Sequence, residues 1–222
     1  MSASRSVLAH HFDTLEQQRD AQTIGMWAFL ATEILVFGAL FTGYIVYRYQ
    51  FPYAFEKASE KLSLTIGGWN TVVLLTSSLT MALAVFATQA GRRRMQISCL
   101  IATFALGALF LGFKAVEYTI DYRENLVPGY AFDPKEWAAD GADPRHVQLF
   151  YVFYYIMTGL HAVHMIGGLA VLAVVIVRTH LGHFTPENFM GVELMGLYWH
   201  FVDVIWIFLL PLLYLVGTRP IG

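Results

Sequence analysis

Residues 193–215 read ELMGLYWHFVDVIWIFLLPLLYL, and this stretch decides the fold. It is apolar over enough length to cross a bilayer, which takes roughly 20 mainly apolar residues in a helix. Glu193 stands at its start, and His200 and Asp203 lie inside it. An ionisable group at bilayer depth costs about 2.5–3.5 kcal/mol on insertion scales, so such residues turn toward protein or water rather than lipid. His200 and Asp203 are three apart and share a helix face, with Trp199 and Trp206 one heptad apart beside them. A helix of this kind requires partner helices.

The rest of the chain supplies them. Of 222 residues, 57% are hydrophobic and only 14% charged, against about 25% charged in a typical soluble domain; the mean hydropathy is +0.54. Four further apolar runs cover about residues 23–47, 66–90, 96–118 and 147–177, and the quoted stretch extends the fifth to about 193–217. In lipid a lone segment satisfies its backbone only as a helix. The expected fold is an all-α integral membrane protein, a bundle of five transmembrane helices in one domain over 23–222, after a polar tail at 1–22. That tail has no apolar core of the kind a cleavable signal needs. The turn at 91–94, Gly-Arg-Arg-Arg, is the shortest loop, where the positive-inside rule acts most strongly. It sets the amino terminus in the cytoplasm and the carboxy terminus in the periplasm, although Lys and Arg over all loops nearly balance, Arg5 and Arg219 included.

A net charge of −2 offers nucleic acid nothing to bind, and the single cysteine, Cys99, excludes an internal disulfide, a thiolate cluster and a CxxCH haem attachment. Pro211 predicts a local bend in the last helix, because it gives the Ile207 carbonyl no N–H. Five side chains stand out at membrane depth: Glu33, His161, His164, His200 and Asp203. At ~1.5 Å per residue, Glu33 falls about 12–15 Å and His200 and Asp203 about 10–15 Å from the cytoplasmic end, with His161 and His164 at similar depth. Some of the five are therefore expected to meet in one polar patch. Three chemistries fit that patch. It is a hydrogen-bonded network that fixes helix packing, or a place where protons reside, since an apolar setting favours a neutral carboxyl, or a haem or metal ligand set built on the histidines. Lys114 and Glu117 form a separate pair near the opposite end, an interfacial ion pair with the lysine reaching toward water.

Particular motifs resemble those of a known family. Residues 25–33 (GMWAFLATE), 70–78 (NTVVLLTSS), 109–118 (LFLGFKAVEY), 158–164 (TGLHAVH) and 196–203 (GLYWHFVD) resemble, in the family's order, helices of haem–copper oxidase subunit III. The resemblance implies a non-catalytic subunit of an aerobic respiratory terminal oxidase in a bacterial plasma membrane. Such a subunit binds subunit I in the membrane, sustains its proton uptake and protects the catalytic centre. Haems and copper belong to subunits I and II, so no cofactor, metal or catalytic residue is expected in this chain. Glu33 matches the glutamate that carbodiimides modify in relatives. Longer members have seven helices with a phospholipid-holding cleft; this chain starts at their third helix, a short five-helix form to which that cleft does not transfer directly, though bound phospholipid remains compatible with it. A quinol oxidase or nitric-oxide-reductase-associated homologue would read the same. A free-standing haem b protein would show a Soret band of its own, and an independent transporter would support flux alone.

Overall fold

A computed structural model describes residues 12–129 and 132–217; the parts of the predicted tail at 1–11, with Arg5, His10 and His11, and Arg219 lie outside the described residues. Seven helices follow one another: α1 (Leu15–Gln50), α2 (Pro52–Glu60), α3 (Leu64–Gln89), α4 (Arg93–Arg123), α5 (Pro134–Ala139), α6 (Pro144–His180) and α7 (Met190–Tyr214). Five of them, α1, α3, α4, α6 and α7, are long and apolar enough to cross a membrane. Among the described residues the five expected long helices are thus joined by two short ones. The two short ones occupy what the sequence suggested were loops. Each short helix opens on a proline, Pro52 or Pro134, whose fixed φ suits a first helical turn.

The long helices also outrun their apolar segments. Thr14 caps α1 by accepting from the Gln17 amide at 3.1 Å, so the helix already includes polar residues 15–22. Asp143 does the same for α6, accepting from the Arg145 amide at 2.9 Å just before Pro144. At 36 residues, α1 is about 54 Å long, well beyond the ~30 Å hydrocarbon core. Caps, rather than hydropathy, set where these helices start.

The helices α3, α4, α6 and α7 close a ring, each packed against the next, with α7 returning to α3. In lipid, helices gain little from hiding apolar surface and associate through close packing and hydrogen bonds instead. Trp199 and Trp206 of α7 fill the ring's centre, both fully buried. Trp199 fits because its neighbours are glycines: a side-chain carbon on Gly107 would stand 2.8 Å from its ring, and one on Gly168 3.2 Å. Both indole N–H groups donate to α3, Trp199 to Ser77 Oγ at 2.7 Å and Trp206 to Thr71 Oγ1 at 3.1 Å. Helix α1 lies outside the ring against α6 and α7, with only Leu30, Phe37 and Tyr44 buried. The end of α7 is tied down where its last carbonyls lack partners: Tyr44 donates to the Leu212 carbonyl and Ser59 to that of Leu213. At the other end, Arg19 donates to the Glu187 carbonyl at 2.6 Å and Arg93 to that of His180, holding the loop between α6 and α7.

Candidate functional site

The five intramembrane candidates do not form a single patch; they sit in three places. Glu33 of α1 meets His164 of α6, Oε2 to Nε2 at 2.9 Å. The other ring nitrogen, Nδ1, lies 2.8 Å from the Leu160 carbonyl, which only accepts, so Nδ1 carries a proton. Nε2 and the Glu33 carboxyl are thus joined by one hydrogen bond between α1 and α6. Each side chain is 16% exposed, so the pair is sheltered but reachable. The Phe37 ring packs on the imidazole at 5.5 Å, and the Tyr198 hydroxyl donates to the His164 carbonyl at 2.8 Å.

His161 is three residues earlier on α6, rotated enough to enter the ring rather than face α1. It is fully buried between Phe110 and Trp206, ring centroids 5.4 and 5.3 Å away, and neither nitrogen has a protein hydrogen bond. His200 and Asp203 lie on the α3 side of α7. His200 Nδ1 and Ser78 Oγ are 2.7 Å apart. Asp203 is buried beside the same serine, and among the described residues its carboxylate oxygens make no well-aligned hydrogen bond. Among the described residues no three His, Cys, Asp or Glu side chains converge as a metal ligand set.

Lys114 and Glu117 do pair, Nζ to Oε2 at 2.9 Å, but inside the bundle rather than at a wet rim: the side chains are 3% and 2% exposed. The expected reach of the lysine toward water is corrected here: its ammonium turns into the bundle. The reason is a set of tyrosines that the apolar reading passed over. The ammonium has three N–H bonds, and three acceptors meet them: Glu117, the Tyr214 hydroxyl at 3.0 Å and the Tyr154 hydroxyl at 3.2 Å. In turn the Tyr214 hydroxyl donates to Glu117 Oε1 at 2.5 Å and the Tyr154 hydroxyl donates to Asp121 Oδ2 at 3.1 Å. Four rings, of Tyr118, Tyr154, Trp206 and Tyr214, stand 5.0–5.7 Å from the ammonium, a favourable cation–π setting. Asp121 lies past the apolar run at 96–118 yet still on α4; the spacing 114, 117, 121 on one helix face is the sequence signal that joins it to the pair. Outside the spans, Lys57 of α2 pairs with Glu60 at 2.8 Å, whose carboxylate holds the ammonium above its usual range. That exposed pair adds little to stability.

Two blocks, residues 4–123 and 146–218, match the family described as cytochrome c oxidase subunit III. The chain belongs to that family. The unmatched interval is the loop that carries α5. The chain is 31% identical over 205 residues to cytochrome c oxidase subunit 3 of Thermostichus vulcanus, covering 92% of each chain. It is 29% identical to cytochrome c oxidase subunit 3 of Alkalihalophilus pseudofirmus, over 88% of this chain and 86% of that one. It is also 25% identical to a probable quinol oxidase subunit 3 of Staphylococcus saprophyticus, over 95% of this chain and 98% of the relative. With five spanning helices, this is a multi-pass membrane protein of the respiratory oxidase subunit III type.

Proposed function

We propose that this chain is the non-catalytic subunit III of a bacterial aerobic haem–copper terminal oxidase, seated in the plasma membrane. It binds the redox-carrying subunit I within the bilayer, and the haems and copper reside in subunits I and II. The single observation that carries the reading is the family match over nearly the whole chain. The Glu33–His164 hydrogen bond supports the reading: an acid and an imidazole, each 16% exposed, meet on the helix least enclosed by the rest of the bundle, which suits a subunit that supports proton supply to a neighbour. The amino terminus lies in the cytoplasm, supported by the arginines of the tight turn between α3 and α4.

Relatives named for both cytochrome c and quinol oxidases match over most of their length. Choice of electron donor therefore rests with other subunits. Gentle purification through a tag on this chain tests the whole reading. The expected result is co-purification of a haem-bearing oxidase subunit in fixed ratio, with a visible spectrum that follows that subunit. A Soret band that titrates with this chain alone, or a chain that purifies with no redox partner, overturns it.

A further inference from the structure

We propose that the seam between α3 and α7 around His200 is the surface on which a transmembrane helix of the redox-carrying subunit docks, placing a hydrogen-bonding side chain against the imidazole. This rests on the reading of the chain as an oxidase subunit and names the face that such a subunit uses. His200 is the eleventh residue of α7 and Ser78 the fifteenth of α3, both near mid-span. One ring nitrogen of His200 is held by Ser78; the other, Nε2, has no protein partner among the described residues, and the residue is only half-buried. Whichever way the proton lies between Ser78 and Nδ1, Nε2 is left as a donor or acceptor that no described side chain or backbone group meets.

Several other outward-facing polar groups of the spans are satisfied within the chain. The hydroxyls of Thr32, Thr42 and Thr76 fold back onto carbonyls of their own helices, at 2.6, 2.8 and 2.8 Å. Glu33 and His164 satisfy each other. His200 does neither, and a polar atom at this depth is costly against hydrocarbon. Lipid headgroups lie too far out to reach it. Asp203, three residues on along the same helix, is itself buried beside Ser78. Around the imidazole, Leu75, Leu79, Val204 and Ile207 are 44–60% exposed and give an incoming helix an apolar rim. A polar centre inside an apolar rim is what an intramembrane partner helix with one matching side chain would complete.

Photo-crosslinkers placed singly in the complete complex, in native membranes, test the assignment. A probe at Ile207 is expected to capture the redox-carrying subunit, and one at Val163, on the outward face of α6, which does not pack against α3, is expected not to. His200→Leu is expected to lower recovery of that subunit about three- to tenfold with the chain still inserted at the wild-type level, the range one interhelical hydrogen bond in a membrane supports. Absence of an Ile207 crosslink while the complex co-purifies intact overturns the docking face and leaves the subunit assignment standing. Capture of a second copy of this chain at Ile207 also overturns it. If the wild-type chain brings down no redox subunit, the subunit assignment fails and the docking face fails with it.

Discussion

The molecule keeps ionisable groups in its interior in two opposite ways. Around Lys114, every donor has an acceptor: one ammonium, two carboxylates and two tyrosines from α4, α6 and α7 close on one another, all but sealed from the outside. At Glu33, a single hydrogen bond between α1 and α6 is all that meets the acid, on a helix with three buried residues and with both partners partly reachable. The first arrangement locks three helices. The second ties one outer helix to the bundle by a single contact that stays partly reachable. The difference shows that burial of a charge does not by itself mark a functional group; the number of bonds and the route outward do.

Breaking the locked region has the largest expected effect. Lys114→Met removes the cation and leaves Glu117 and Asp121 facing each other in the interior, a loss of about 3–5 kcal/mol for a broken buried pair. The folded chain should fall sharply in membrane yield, and Lys114→Met with Glu117→Gln should recover part of it. An unchanged yield for the single variant would mean the cluster is wetter than its geometry indicates. Tyr214→Phe keeps both charges but removes one acceptor for the ammonium and one donor to Glu117. A thermal destabilisation of about 1–3 kcal/mol is expected, read as a lower midpoint of the detergent-solubilised chain. The smallest effect belongs to the Glu33 contact. In Glu33→Gln the amide can still donate to His164 Nε2, so assembly and basal turnover should hold, with a stability change under ~1 kcal/mol. Carbodiimide labelling at this position should disappear. Complete loss of assembly in Glu33→Gln would erase the contrast and make both regions structural.

Much of the fold could be read from residue order. Five apolar runs of spanning length admit only helices in lipid, and each appears. Their ends were misplaced because hydropathy drops before the helix stops: Thr14 and Asp143 cap helices that begin in polar sequence. The short helices were missed because Phe51-Pro52 and Asp133-Pro134 read as loop chemistry, although proline also opens a helix. Of the polar residues, Glu33 and the histidines were visible as anomalies in apolar runs. Tyr154 and Tyr214 were not, since a tyrosine at helical spacing looks like core until its hydroxyl is seen to bond.

Composition and run length alone determined that this chain lives in a bilayer and where each span must lie, since backbone hydrogen bonding in hydrocarbon leaves no other choice. Which side chains meet was decided only by tertiary packing. His161 and His164 are three residues apart, yet one enters the ring beside Trp206 and the other reaches an acid 131 positions away. The rotation and depth at which one helix settles on another set those partners, and they depend on features such as the space that Gly107 and Gly168 leave for Trp199.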